Sequence, residues 1–374
     1  MRFLIFDVKD AECLKLLGLC RYMPIFLGKR FSVQSLYSGT TKNLIEHGLI
    51  KYTVDGKCLK LTCFGRNALQ DMGYVFSEDS RSMNSGSKYE RRVMCAETNL
   101  MFYSAGVDIF SENIKKLNGS KSCYIPFLNM RSAKGGESLS GARFAGILKS
   151  GNIAYVIYYV NSDDEIGLHI SFEELAFKPL VTNLEGVDYT KIIFAGNSLE
   201  ELESIIFKQN NGKCKNQSEP FSQAYEKFAY NIYMFERNKN GVMQAKIIAV
   251  PDYRKKLAQY FCVGKTALPP TLSYCDGFHK GSPLIIAVDM DLKRIYAAVK
   301  QAFAYSKLEP YILCLNFQEN FLFNYLRHKE IPKAQILPIE FNKISAGLKL
   351  KANHFTNEPV RDKKGEYMTV RCRL

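Results

Sequence analysis

A helix followed by a tight hairpin, within residues 35–73, is the feature that most restricts the fold of this chain. Apolar side chains recur at helical spacing in residues 36–45, and Gly48 can take the left-handed conformation that ends a helix. An alternating segment follows, then the hairpin signal Asp55-Gly56, then a second alternating segment and a further helix. This order predicts the second half of a winged helix-turn-helix.

The residues upstream complete the predicted module. Residues 10–23 form an amphipathic first helix, and residues 24–28 form a short second one. Ser32 is a candidate N-cap for the third helix, although Gly39 weakens that helix and favours a start near Ser38. Such a module sets its third helix into the DNA major groove and lets the hairpin touch the backbone. The predicted DNA-binding residues are Arg30, Gln34, Ser38, Thr41 and Lys42 on and before the helix, and Lys57 and Lys60 on the hairpin. The alternative is a winged helix that contacts only proteins.

The charge of the chain supports an acidic partner. The 374 residues carry a formal net charge of +14, and nucleic acid is the commonest partner of so basic a protein. No apolar run approaches the roughly 20 residues that span a bilayer. The N-terminal MRFLIFDVKD is too short and too acidic for a signal peptide. We therefore expect a cytoplasmic protein with no membrane partner.

Cysteine and histidine spacing argues against a structural metal. Eleven cysteines include no Cys-x-x-Cys pair, and the five histidines do not cluster with them. We expect reduced thiols that act as small apolar side chains, and no bound cofactor.

Two polar segments, residues 77–92 and 208–220, suggest linkers between domains. Strands and helices alternate downstream, which predicts an α/β class with parallel pairs. One such unit has a strand at residues 243–250 and a helix at residues 253–261. It resembles the strand-turn-helix of residues 191–207, either by duplication or because α/β units look alike. The predicted domains are the winged helix at 1–76, a central α/β domain at 93–207, a C-terminal α/β domain at 221–344 and a basic tail at 345–374.

One constellation has the pattern of a nuclease. Pro251-Asp252 and Asp291-Leu292-Lys293 each follow a predicted strand, as the two carboxylates and the lysine of PD-D/E-x-K nucleases do. There Asp252 and Asp291 would hold Mg²⁺ or Mn²⁺, and Lys293 would position the attacking water. The alternative is that both aspartates simply begin helices, because aspartate is a common helix cap. The capping interpretation is the stronger, so we expect binding rather than catalysis.

The layout as a whole resembles the replication-relaxation family of bacterial plasmids and integrative elements. The resemblance rests on LKLLGLCRYMPIFLGKRF and LIEHGLIKYTVDGKCLKLTCFGRNAL near the N-terminus, ARFAGILKSGNIAYVIYYV in the centre, and KIIAVPDYRKKLAQYF, LIIAVDMDLKRIYAAVK and LCLNFQENFLFNYL further on. It implies a winged helix fused to an α/β domain, often nuclease-like, in a mobile element. The implied role is in replication, transfer initiation or their control.

Three functions follow from these observations. The first is a DNA-binding protein of a mobile element, with double-stranded DNA and replication or transfer proteins as partners and a homodimer as one further assembly. The second is a metal-dependent nickase or nuclease. The third is a transcriptional regulator whose α/β region senses a ligand.

Overall fold

The chain has a mixed α/β fold in two compact units, described below one at a time. Unit 1 comprises Met1–Gly106 and Ala352–Leu374, and unit 2 comprises Val107–Lys351. The computed structural model describes residues 2–5, 7–74, 87–110, 122–133, 141–160, 167–207, 218–262, 268–306, 308–331, 333–350 and 369–372.

Unit 1 is mainly helical, with one small antiparallel sheet in the strand order β2-β4-β3. A separate strand, β1 (Arg2–Ile5), pairs antiparallel with Thr369–Cys372, the last strand of the chain. The other elements are α1 (Val8–Cys20), β2 (Met23–Pro24), α2 (Leu27–Arg30), α3 (Ser38–Glu46), β3 (Ile50–Tyr52), β4 (Cys58–Leu61), α4 (Cys63–Asp71) and α5 (Ser87–Ser104).

Capping fixes where the helices of unit 1 begin. Asp7 starts α1, because its carboxylate accepts a hydrogen bond of 2.7 Å from the Asp10 backbone N–H. The predicted cap at Ser32 is wrong. Ser32 has a φ of 57° in a turn, a 3-10 turn follows at Gln34–Leu36, and α3 begins at Ser38.

The hairpin between β3 and β4 has a longer turn than the predicted Asp-Gly pair. Five residues connect the strands, and only Gly56 among them has a positive φ, of 69°. The Asp55 carboxylate accepts hydrogen bonds from the Thr53 hydroxyl, at 2.5 Å, and from the Lys57 backbone N–H, at 3.2 Å. Side-chain bonding of this kind is how aspartate stabilises turns.

Unit 2 contains two sheets, a five-stranded one in the order β5-β6-β7-β8-β9 and a four-stranded one in the order β10-β11-β12-β13. The elements are β5 (Cys123–Pro126), α6 (Phe127–Ala133), β6 (Phe144–Ser150), β7 (Ile153–Tyr159), α7 (Ile170–Thr182), β8 (Tyr189–Gly196), α8 (Leu199–Phe207), α9 (Phe221–Lys227), β9 (Ile232–Glu236), α10 (Lys239–Ile248), α11 (Tyr253–Phe261), β10 (Gly277–His279), β11 (Ser282–Ile286), α12 (Leu292–Ser306), β12 (Tyr311–Leu315), α13 (Glu319–His328), β13 (Gln335–Ile339) and α14 (Phe341–Leu348).

The two sheets of unit 2 repeat one pattern. In each sheet, an antiparallel hairpin (β6-β7 or β10-β11) is followed by two strands that continue the sheet in parallel (β8-β9 or β12-β13). A helix follows the second strand of the hairpin and each of the two parallel strands. The order of elements is therefore repeated, but the boundaries of the repeat differ from those that the sequence suggested. One hydrophobic core runs through both halves, from Phe144 and Phe194 to Ile285 and Leu322.

Several sequence expectations need correction. Residues 243–250 are not a strand but mostly belong to helix α10, which Asn238 caps by accepting from two backbone N–H groups. Residues 93–106 of the predicted central domain belong to unit 1, and the rest of that domain shares one unit and one core with the predicted C-terminal domain. Of the predicted linkers, residues 87–92 belong to α5, while residues 77–86 and 208–217 lie outside the described residues, as does most of the basic tail. The predicted helix at 253–261 is confirmed.

No helix in the described part of the chain is both long and apolar enough to cross a bilayer.

Two glycines of unit 1 give a matched test of its packing. A Cβ at Gly65 in α4 would overlap the Leu49 carbonyl oxygen, whereas a Cβ at Gly39 in α3 would meet nothing within 4 Å. We expect Gly65→Ala to lower the free energy of unfolding by about 2 kcal/mol through overpacking. Gly39→Ala should raise it by up to about 1 kcal/mol through helix propensity. Urea unfolding of the two variants beside the parent checks this, and equal effects would contradict the packing of α4.

Candidate functional site

The exposed face of α3 is the first part of the predicted nucleic-acid interface. Ser38, Lys42 and Glu46 recur every fourth residue and are all exposed, whereas Thr41 and Leu44 are buried. Gln34, in the 3-10 turn before α3, is exposed as well. Lys42 lies 3.8 Å from the Glu46 carboxylate, with 80% of its side chain exposed, so this surface pair leaves the ammonium accessible.

Two predicted residues do not belong to this face. Thr41 is 7% exposed, and its hydroxyl donates to the backbone carbonyls of Tyr37, at 3.2 Å, and Ser38, at 3.4 Å. Arg30 is engaged by a carboxylate of α5, with 2.7 Å between its Nη1 and Glu97 Oε1. The structure therefore turns Thr41 inward and commits Arg30 to an ion pair within unit 1.

The hairpin is the second part of the interface. Lys57 is exposed in the turn, and Lys60 is half-buried on β4. Lys60 lies directly opposite Lys51 of β3 in the antiparallel register, and Lys51 is exposed. Like charges at opposed positions destabilise a strand pair, because their Cβ atoms are only about 5 Å apart. An anion bound across the two strands would relieve this repulsion.

Sequence reasoning missed several residues beside these lysines. Lys51 could not be identified as the partner of Lys60, because the pairing depends on the five-residue turn. The side chains of Tyr37, Tyr52 and Val54 are also exposed, by 40%, 49% and 93%. No pattern in the sequence marks them, because apolar residues in such alternating segments are normally buried.

A buried carboxyl lies beneath α3. Asp10 of α1 is 5% exposed, and burial raises its pKa to about 6, with a further upward contribution from Asp7. The side chain of Asn43 and the nearby His47, both on α3, act in the opposite direction. The charge state of Asp10 is therefore linked to the packing of α1 against α3.

The residues of the predicted nuclease site differ in burial and in their hydrogen-bond partners. Asp252 is exposed, with a φ of 57°, and its side chain makes no capping bond to α11. Asp291 is fully buried. Lys293 points elsewhere, because its Nζ donates to the Phe228 carbonyl at 2.8 Å and lies 5.4 Å from the ring centre of Tyr225.

Asp291 instead begins a helix. Its Oδ1 accepts from the Arg294 backbone N–H at 3.2 Å, which is a cap of α12, and its Oδ2 accepts from Asn231 Nδ2 at 2.6 Å. An isolated antiparallel bridge joins it to Tyr233 of β9. Burial raises the pKa of Asp291, and the neighbouring Asp289 raises it further.

Asp289 is the centre of a buried polar network. Its Oδ2 accepts from the Tyr253 hydroxyl at 2.5 Å and lies 3.8 Å from Arg254 Nε, and its Oδ1 lies 3.7 Å from Arg294 Nη2. Arg294 also donates to Asp276 Oδ2 at 2.9 Å. We call Asp276, Asp289, Asp291, Arg254, Arg294 and Tyr253 the junction cluster.

The junction cluster has little capacity to bind a metal ion. Each oxygen of Asp289 and Asp291 already faces a protein donor, and the two arginines offset the carboxylate charge. In the described ranges of the chain, no three His, Cys, Asp or Glu side chains are placed to hold a metal. The arrangement stabilises the fold and positions α12.

Comparison of the chain with family models, with curated proteins and with solved structures finds no match.

Substitutions of Asp289 and Asp252 should differ sharply in their effect on the free energy of unfolding. Asp289→Asn leaves the buried Arg294 and the half-buried Arg254 with less compensating charge, and we expect a loss of about 3 kcal/mol in the free energy of unfolding. Asp252→Asn should change it by less than about 0.5 kcal/mol, because the side chain is exposed. Chemical denaturation of both variants checks this, and a large loss in Asp252→Asn would restore it as a structural or site residue.

Asp10 predicts a pH dependence of stability. The folded-state pKa of about 6 exceeds the ordinary 3.8, so the folded state holds the proton more tightly. The associated stability is complete below pH 4 and is lost as the pH rises through 6. We expect Asp10→Asn to be more stable than the parent by about 2 kcal/mol at pH 7.5 and to lose this advantage near pH 4. Urea unfolding at the two pH values tests this, and a pH-independent difference would contradict it.

Proposed function

We propose that unit 1 is a winged helix-turn-helix that binds double-stranded DNA, with α3 in the major groove and the β3-β4 hairpin on the backbone. The observation that carries the proposal is the opposed pair Lys51 and Lys60, with Lys57 exposed in the adjoining turn. Folding alone gains nothing from two lysines at this register position, whereas phosphate groups would neutralise both.

The exposed face of α3 supports a division of roles. Gln34, in the 3-10 turn before α3, and Ser38, at the start of α3, are exposed polar side chains of the kind that hydrogen-bond to base edges. Lys42, Lys51, Lys57 and Lys60 carry the charge that attracts phosphates and sets the protein on the duplex. Sequence preference would then come from the first pair and affinity from the lysines.

The wider role follows from the resemblance described above. We propose that the protein acts in the cytoplasm on the DNA of a bacterial mobile element, in replication, transfer initiation or their control. The nuclease alternative has less support in the site geometry, because Asp252 is exposed whereas Asp291 is fully buried, and the Asp291 oxygens already accept from protein donors.

A charge-removal variant tests the DNA surface. We expect Lys42→Gln with Lys60→Gln to weaken binding of the full chain to a mixed-sequence duplex about tenfold at 0.1 M salt. The slope of log K against log salt should fall by about 2, because each phosphate contact contributes about 0.9. Fluorescence anisotropy over a salt series measures both quantities.

The matched control removes two charges from unit 2. Lys300 and Lys333 are exposed there and lie outside the surface proposed for DNA, so Lys300→Gln with Lys333→Gln should leave duplex affinity and salt slope unchanged. Equal losses in the two double variants would mean that only net charge matters, and the assigned surface would be wrong.

Selection from a random duplex pool tests sequence recognition. We expect enrichment of a preferred sequence with or without Mg²⁺, and relaxation of that preference in Gln34→Ala with Ser38→Ala. A pool that stays random for the parent would reject base recognition by α3. Strand cleavage that requires Mg²⁺ and is also observed with the purified variants would instead favour an enzyme.

A further inference from the structure

Three helices of unit 2 that pack together contain no acidic residue. Helix α14 packs against both α10 and α11. Their sequences, KNGVMQAKII, YRKKLAQYF and FNKISAGL, contain no aspartate or glutamate. By contrast α8, LEELESIIF, contains three glutamates and no basic residue, and it packs against α9 and α13. Charge is thus segregated among the helices of one unit.

The exposed lysines of these three helices and of the α14 C-cap define what we call the basic helix face: Lys239, Lys255, Lys256, Lys343 and Lys349. Within the described residues, the structure records no ion pair for any of them. The nearest acidic residues in sequence are Glu236, which is buried, and Asp252 and Glu340, which precede α11 and α14 at the helix ends where a carboxylate is favourable.

An exposed aromatic ring lies within this face. Tyr260 is 54% exposed and packs on α14 at Gly347, where an added Cβ would come within 3.0 Å of the ring. Lys256 is one turn before Tyr260 on α11, and Lys343 is one turn before Gly347 on α14. Residues four apart are neighbours on a helix surface. Each of these lysines therefore lies one helical turn from a residue of the Tyr260–Gly347 contact.

We propose that the basic helix face binds single-stranded nucleic acid, with the lysines on the phosphates and Tyr260 as a stacking platform for a base. Basic grooves with exposed aromatic rings are how proteins hold single strands without sequence preference. The proposal goes beyond duplex binding by unit 1 and does not depend on it. It names a second substrate class for the chain.

The chemistry of the face fits a nucleic acid better than an anionic membrane. Helices that lie on lipid keep their apolar side available for the bilayer. Here the apolar side chains of α11 and α14, Leu257, Ile344 and Leu348, are buried within unit 2. The exposed residues of α11 and α14 are lysines, the amides Gln259 and Asn342, Ala346 and the Tyr260 ring. Lysines, amides and an aromatic ring match phosphates and bases.

The test uses the full chain and a fluorescent oligothymidylate. We expect Lys255→Gln with Lys256→Gln and Lys343→Gln to weaken binding at least tenfold at 0.1 M salt. The salt slope should fall by about 2, because each contact with a single strand contributes about 0.7. Tyr260→Leu should weaken binding about tenfold at every salt concentration, whereas Tyr260→Phe keeps the ring and should bind as the parent does.

Controls separate this proposal from the previous one. Lys42→Gln with Lys60→Gln should lose duplex binding and keep oligothymidylate binding, and the triple variant should do the reverse. The Lys300 and Lys333 variant should keep both, and an unchanged Tm for every variant establishes that folding is intact. A variant that loses only duplex binding therefore tests the proposal for unit 1 and leaves the proposal for the basic helix face unaffected.

Three outcomes would overturn the proposal. The first is parent-like affinity for oligothymidylate in the triple variant. The second is an equal loss in the Lys300 and Lys333 variant. The third is that the parent binds phosphatidylglycerol vesicles through these lysines while failing to bind oligothymidylate, which would assign the face to a membrane.

Discussion

The buried guanidinium of Arg294 is the interaction on which the arrangement of β10, β11 and α12 in unit 2 depends. It donates to the Tyr274 carbonyl at 3.2 Å and to the Ile286 carbonyl, and it pairs with Asp276 and Asp289. A charge can be buried only when its donors find such partners, since the desolvation penalty is otherwise several kcal/mol. Arg294 thus ties the end of β11 to the turn before β10 and to the loop that begins α12. The adjacent Asp291 extends the same network to β9.

This constraint explains why the nuclease-like sequence pattern does not place Asp291 in an open site. Asp252, Asp291 and Lys293 have the order of a catalytic motif, but order alone does not specify which carboxylates the fold leaves open. Asp291 is used to cap α12, and the lysine two residues later turns to the Phe228 carbonyl. Asp289, which the motif does not include, is the more connected carboxylate.

Periodicity predicted much of the α/β region, because long apolar strands and amphipathic helices leave clear patterns. It failed at residues 243–250, where Ala245, Ile247 and Ile248 suit a strand as well as a helix. The deciding signal was the cap at Asn238, five residues upstream of the supposed strand. In unit 1 the helix start expected near Ser38 is confirmed and Lys42 is exposed, but Thr41 was misplaced, because it lies three residues before the buried Leu44 and shares its side of α3. The pair of Arg30 with Glu97 joins residues 67 apart, and no local pattern contains it.

The distribution of charge is what local stability leaves unexplained. Where this chain needs stable surface helices it pairs lysine with glutamate one turn away, as at Glu174 and Lys178 in α7 and at Lys42 and Glu46 in α3. Helices α11 and α14 use no such pairs, and β3 and β4 place two lysines opposite each other. Each arrangement raises the electrostatic free energy of the folded chain when it stands alone. A bound polyanion would remove that penalty in both units. The Tyr260 ring in unit 2 suits a single strand, whereas the exposed polar side chains Gln34 and Ser38 in unit 1 suit a duplex.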